Sequence, residues 1–395
     1  MRPISVAKLK PGQVLGTSLF NDKCELLLVS GFRVTKEVIA AFGKRGITRV
    51  FIMDDLSKEL KKVKPEKMIS KKLRDDTSNS LEQSFNNLKE TIPHKDLRPE
   101  SVAQRISQVS QTTPLLKVKA FQKNVYGIMM EVVEKNITMF AAYPAKSDKK
   151  LEHKHAIDTT LLAIMMARAF NYSFKDLRIL GTAAILHDVG KSAFLDILNK
   201  PVKELSFEER SVERQHPFFS MQILQESEPF TFIEQATILQ HHEQANGAGY
   251  PNQIKSSGAP PRTDTPYNKK YLHPSAEILA VANLYDNLIN GSYDGTHYKP
   301  ENAIVKIVNR EAGFWNEAVV QSLVNSVQCY PRGSTVRVIK NSSEKYTGYR
   351  GIVMKSNLKE QSKPVLCLTH NALGTKIKPF IFDFSSQKTM EIGIQ

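Results

Sequence analysis

The sequence predicts a multidomain protein: an all-α helical bundle, preceded by a small α/β domain and followed by a small β-rich appendage. Three observations carry this reading. Between about residues 116 and 327 apolar residues recur at spacings of three and four, with no useful period-two run, which is the mark of helices. In residues 1–55 short apolar runs are punctuated by glycine. After residue 327 polar and apolar residues alternate, as in strands with one wet face. A chain of 395 residues has room for two or three such units.

Residues 1–55 form the first domain. Val14-Leu15-Gly16 and Leu26 to Ser30, ended by Gly31, read as short strands; Thr35 to Phe42 reads as a helix stopped by Gly43 or Gly46, and Val50-Phe51-Ile52 as a closing strand. Residues 56–115 are polar, basic and rich in Ser, Asn and Gln, and read as surface helices with loose connections. Residues 116–327 form the helical domain. Ile157, Leu161, Ile164 and Met165 mark a helix buried along one face, and Leu177, Leu180, Ala184, Ile185 and Leu186 the next, with Gly190 as a helix stop. Residues 328–395 form the β-rich domain, with four short strands at Thr335 to Ile339, Gly348 to Met354, Pro364 to Leu368 and Phe380 to Phe384.

The composition, 41% hydrophobic and 24% charged, is that of an ordinary globular chain. No apolar run approaches the roughly 20 residues that span a bilayer, and Met1-Arg2-Pro3-Ile4-Ser5 lacks the apolar core of a secretory signal. Cys24, Cys329 and Cys367 lie far apart with no CxxC pair, which argues against a disulfide framework or a zinc knuckle and favours a cytoplasmic protein with buried thiols. The formal charge of +15 draws on Lys58 to Arg74, where basic residues far outnumber acidic ones. Such a charge concentrates anions, nucleotides included. It comes without interleaved stacking aromatics or a recognition fold, so specific nucleic-acid binding is not expected.

Six histidines fall between positions 153 and 242. A single buried histidine is usually a satisfied core residue, but here the spacing speaks for ligands. His155, His187, His216 and His241 are separated by 32, 29 and 25 residues, each about one helical hairpin, so every hairpin returns a ligand to the same end of a bundle. Neighbouring helical positions diverge by about 100°, so His187-Asp188 and His241-His242 can each splay over two metals, with Asp188 bridging. Imidazole mixed with carboxylate suits iron, manganese or zinc rather than calcium. Two such ions provide what phosphodiester cleavage requires: an acidified water, and positive charge against the developing phosphorane.

The strings His187-Asp188-Val189-Gly190-Lys191, His216-Pro217 and His241-His242-Glu243-Gln244-Ala245-Asn246-Gly247-Ala248-Gly249-Tyr250-Pro251 occur in that order. With them the chain resembles the HD-GYP phosphodiesterases, a branch of the HD metal-dependent phosphohydrolases whose members hydrolyse the bacterial second messenger cyclic di-GMP. The first 55 residues, with Lys10-Pro11-Gly12, resemble the small domain often fused in front of that module. The resemblance implies an HD-GYP core with metal ligands at His155, His187, Asp188, His216, His241 and His242, and at Asn283 in the last position. It implies catalytic roles for Asp188 and Lys191, with Lys191 contacting substrate phosphate, and a loop at Gly249, Tyr250 and Pro251 that shapes access for substrate and partners. It also implies two divalent ions, iron or manganese.

Three departures from the family pattern accompany it. The helix at Ile278 to Asp286 reads Ala282-Asn283 where the family has Ala-Asp, which makes the last ligand neutral; Asp286, one turn on, is expected to support the site from behind. Members with three metals carry Glu four residues before the first ligand histidine; that position is Leu151, beside Glu152, so two metals are expected. The phosphate-binding Arg expected after the Asp helix is missing from Asn290 to Gly295, and Arg262, Lys269 or Lys270 of the inserted stretch Ser256 to Lys270 are candidates to replace it.

The implied function is a cytoplasmic metal-dependent phosphodiesterase that converts cyclic di-GMP to pGpG, GMP or both, with signalling partners at the GYP loop and no membrane span. Two alternatives stand beside it. One is a non-catalytic module that binds nucleotide or a signalling partner such as a diguanylate cyclase. The other is a phosphodiesterase for another cyclic dinucleotide.

Overall fold

The computed structural model describes residues 2–15, 19–20, 26–28, 32–44, 47, 49–53, 68–92, 98–135, 137, 139–141, 151–194, 205–227, 230–264, 266–291, 296–310, 313–342, 344–355, 363–386 and 390–394. The expectations for Gly16, Cys24, Gly31, Gly46, Lys58 to Lys67 and Ser292 to Gly295 lie outside them. The chain divides into two compact units: residues 67–329, and the terminal segments 1–66 and 330–395 taken together.

The N-terminal segment holds β1 (Arg2–Ser5), β2 (Val14–Leu15), β3 (Leu19–Phe20), β4 (Leu26–Leu28), α1 (Lys36–Lys44) and β5 (Arg49–Met53). An antiparallel sheet runs in the order β1-β5-β2 around Leu15, Val34, Phe42 and Val50. Strand β1 escapes the sequence reading because Pro3 argues against a strand. It lies at the sheet edge, where a missing N–H is tolerated. Helix α1 runs through Gly43, which does not stop it.

The central unit comprises α2 (Lys71–Thr91), α3 (Pro99–Ser110), α4 (Val118–Glu134), β6 (Phe140–Ala141), α5 (Leu151–Arg168), α6 (Phe174–Leu186), α7 (Phe207–Glu213), α8 (His216–Gln225), α9 (Phe232–Leu239), α10 (Pro274–Asn290), α11 (Pro300–Val305), α12 (Glu317–Ser326) and β7 (Val327–Gln328). Helices α2 and α3 correct the reading of residues 56–115 as surface helices. Leu81, Leu88, Val102 and Ile106 are fully buried in the bundle core. The Ser70 hydroxyl accepts from the Leu73 N–H and donates to Glu131 of α4, and Arg74 pairs with Asp158 of α5 at 2.9 Å. Leu73, Thr77, Leu81, Phe85 and Leu88 keep a helical stripe inside a polar composition.

Helix α5 also departs from expectation. It is buried on all sides, from Ala156 to Ala167, because α2, α6, α10 and α12 surround it. Three helices open with reciprocal capping boxes: Ser173 with Asp176 for α6, Ser206 with Glu209 for α7 and Thr231 with Glu234 for α9. These caps set where each helix starts.

The C-terminal segment is an antiparallel sheet of β8 (Thr335–Asn341), β9 (Arg350–Lys355), β10 (Val365–His370), β11 (Lys376–Asp383) and β12 (Met390–Ile394), in the order β11-β10-β9-β8-β12. The four expected strands are present, with β12 added along β8. Cys329 and Cys367 are buried and lie outside any disulfide. Among the described residues no helix is long and apolar enough to cross a membrane.

Candidate metal centre

The ends of α6, α7 and α9 place the histidines. The last carbonyls of a helix have no partner within it, and each of these ends offers one to a histidine ring. His187 Nδ1–H donates to the Ala184 carbonyl at 2.7 Å, His216 Nδ1–H to Glu213 at 2.6 Å and His241 Nδ1–H to Ile238 at 2.6 Å. A carbonyl only accepts, so Nδ1 carries the proton and each ring, in its neutral form, presents a bare Nε2. His155, in the first turns of α5, is held differently: its Nδ1–H donates to Asp286 Oδ2 of α10 at 2.6 Å, and Asn290 donates to that same oxygen. Asp286 thus orients His155 from behind, as a carboxylate behind a metal-bound histidine does.

The bare nitrogens converge on Asp188. Its Oδ1 lies 3.2 Å from His216 Nε2 and 3.7 Å from His241 Nε2; its Oδ2 lies 3.5 Å from His187 Nε2 and 3.7 Å from His155 Nε2. Two ligand groups result, one of Asp188, His216, His241 and His242 and one of His155, His187 and Asp188, which share the carboxylate. Burial keeps the His187 and His242 imidazoles well below their ordinary pKa, in the neutral form that coordinates. Burial alone would raise the Asp188 carboxyl, yet the surrounding positive charge, Lys191 above all, holds it well below the usual carboxylate range. His155 Nε2, His187 Nε2 and His242 Nε2 are buried without a hydrogen-bond partner. Unsatisfied buried acceptors converging on a carboxylate fit divalent metals of the nitrogen- and oxygen-preferring kind.

Lys191 follows in the 3-10 turn Val189–Phe194, its Nζ 2.7 Å from Asp188 Oδ2. Burial disfavours its charge, but Asp188 outweighs burial and raises its pKa. Gly190 is not a helix stop, since the 3-10 turn runs through it. A Cβ there would meet the His216 carbonyl oxygen at 2.3 Å and the Ser220 nitrogen at 2.4 Å. Ser220, which no sequence motif marks, accepts from the Gly190 N–H at 2.8 Å and donates to the His187 carbonyl at 2.7 Å.

The Gly249-Tyr250-Pro251 loop closes over His242. The Tyr250 ring stacks on the His242 ring at 4.6 Å and 13°, and the Tyr250 N–H donates to the His242 carbonyl. Gly249 is required by close approach, because a Cβ would fall 2.4 Å from the Glu243 Cα. Buried Glu243 accepts from the N–H groups of Asn252 (2.6 Å) and Ile254 (3.2 Å), tying down the far side of the loop.

Four further residues that the sequence singles out have other partners. The sixth histidine, His153, packs against Ser78 and Phe85 of α2. Arg262 is paired with Asp264 on the surface, and Lys269 lies over Phe232. Asn283 is buried on α10, where its Oδ1 accepts from Asn287 at 2.8 Å.

A helical bundle whose hairpin ends bring histidines around a shared His-Asp pair defines an HD-domain protein, and residues 141–316 match the HD domain family. With the GYP loop in place, that match and the relatives below support the resemblance to the HD-GYP branch. The chain is similar to the cyclic di-GMP phosphodiesterase PA4108 of Pseudomonas aeruginosa, at 28% identity over 197 residues, 49% of this chain and 43% of that one. It is also similar to the cyclic di-GMP phosphodiesterase response regulator RpfG of Xanthomonas campestris pv. campestris, at 27% identity over 209 residues, 50% of each. A third relative, the 3′3′-cGAMP-specific phosphodiesterase 2 of Vibrio cholerae, is 28% identical over 136 residues, 34% of this chain and 23% of that one. The chain thus spans half or less of the length of these relatives.

Proposed function

We propose that this protein is a metal-dependent phosphodiesterase that hydrolyses cyclic di-GMP to pGpG, GMP or both. The observation that carries the reading is Asp188, which turns one carboxylate oxygen to each of two buried histidine groups. His155, His187 and Asp188 would hold one ion, and Asp188, His216, His241 and His242 the other, with Asn283 offering a neutral oxygen at the family's last position. Iron or manganese bound there supplies an acidified water and positive charge for the phosphoryl group.

The chain's own residues do the rest. Lys191 Nζ, held on the Asp188 carboxylate, places a cation where the scissile phosphate would lie. The helix-end carbonyls keep the Nδ1 protons of His187, His216 and His241 in place, so their Nε2 atoms stay available. Gly249, Tyr250 and Pro251 bound the entrance beside His242. Hydrolysis breaks one P–O bond; the hydroxyl goes to phosphorus and the departing ribose oxygen takes a proton from water. Buried cysteines outside any disulfide suit the cytoplasm, where such a nucleotide would be met.

Elemental analysis of anaerobically purified protein, joined to a cyclic di-GMP turnover assay, tests this. Two ions per chain are expected, with activity lost on chelation and restored by iron or manganese. Two ions without turnover of any cyclic dinucleotide would make the protein a binding module, the reading that neutral Asn283 favours. Preference for 3′3′-cGAMP would instead match the Vibrio cholerae relative.

A further inference from the structure

We propose that Arg214, lying over the Tyr250 ring, forms a subsite for the second phosphodiester of the substrate, the one not being cleaved. The inference rests on the cyclic-dinucleotide reading and deepens it. Such a substrate carries two phosphodiester anions, and only one can sit at the metals. The other calls for a cation with hydrogen-bond donors, available at the rim of the same site.

Of the cations that the sequence suggests, three are engaged. Lys191 is held by Asp188 at 2.7 Å, Arg262 by Asp264 at 2.8 Å, and Lys269 lies 5.1 Å from the Phe232 ring centre. Lys154 is held by Asp158 at 2.8 Å. Arg214 is different. Its guanidinium lies 5.5 Å from the centre of the Tyr250 ring, which in turn stacks on His242. Arg214 is exposed, and among the described residues no carboxylate pairs with it.

Both members of the subsite have fixed bases. Arg214 caps the end of α7, its N–H bound to the Arg210 carbonyl at 3.0 Å, two residues before His216. Tyr250 is fixed to His242 by its own N–H and, through the loop, by Glu243. An arginine fork resting on an aromatic face matches phosphate geometry and gives up little freedom on binding.

The test uses the metal-loaded full chain with cyclic di-GMP as probe, in wild type, Arg214→Ala and Arg214→Lys, each checked for unchanged thermal unfolding. Binding is measured calorimetrically, and KM and kcat kinetically. Arg214→Ala should raise Kd and KM about 10- to 100-fold, lower kcat far less, and flatten the dependence of Kd on salt. Arg214→Lys should recover part of the binding. A loss confined to kcat, a Lys variant as impaired as Ala, or unchanged Kd in Arg214→Ala would overturn the subsite while leaving the phosphodiesterase intact. If wild type neither binds nor turns over the probe, the functional reading fails and the subsite with it. If wild type binds without turnover, the Kd comparison alone decides.

Discussion

His187, His216 and His241 donate Nδ1–H to neutral carbonyls, whereas His155 alone is seen to donate to a carboxylate, Asp286. That difference makes His155 the ligand most sensitive to what lies behind it. Asp286→Asn should weaken binding at the His155 and His187 group about 10- to 100-fold, and leave the other group near its original affinity. Calorimetric titration of metal-free protein with manganese would resolve the two. A second residue-scale prediction concerns Glu277 of α10. Burial pushes its carboxyl up to about 7 despite hydrogen bonds from Ser256 and Asn316. The folded state therefore holds a proton that the unfolded chain releases near pH 4.5. Stability from this group is complete below that pH and declines as pH rises toward 7, by about 3 kcal/mol at most. Glu277→Gln should gain in Tm relative to wild type as pH rises from 5 to 8; a constant difference across that range would refute the assignment.

At the scale of elements, the turn after α6 is the least forgiving part of the fold. The 3-10 segment Val189–Phe194 packs so closely on α8 that Gly190 touches backbone, with Ser220 bridging both sides. Gly190→Ala must move α8 or the turn, since backbone atoms cannot rotate away. It should cost about 1–3 kcal/mol and displace Lys191 from Asp188, which chemical denaturation and metal titration would register together. Helix α2 supports a prediction of the opposite kind. Its composition reads as surface, yet Leu81 is fully buried. Leu81→Ala should cost about 2–5 kcal/mol in thermal or urea unfolding, where a loosely attached surface helix would lose under about 0.5 kcal/mol.

At the scale of the whole molecule, the large core cluster from Met68 to Val327 and both metal-ligand groups lie within the unit of residues 67–329. A fragment of those residues should unfold cooperatively and retain the metal stoichiometry of the full chain, as calorimetry and elemental analysis would show. The histidine–aspartate cluster was legible in the sequence because intervals of 32, 29 and 25 residues each measure one hairpin, and because the His-Asp pair and GYP string are contiguous. The central helices and four of the five C-terminal strands were legible from their periods. What could not be read joins residues that are far apart in the chain. Ser220 between His187 and Gly190 and Arg214 over Tyr250 each span tens of residues, and no local pattern encodes them; Asp286 was expected behind the site, but its partner His155, across 131 residues, was not legible. The burial of α2 belongs to the same class, since a narrow apolar stripe looks like surface until its partners α4 and α5 are in place. Periodicity and motif spacing, which act along the chain, determined the elements and which histidines cluster with Asp188. Packing between helices decided which oxygen faces which nitrogen, because that depends on helix ends brought together only in three dimensions.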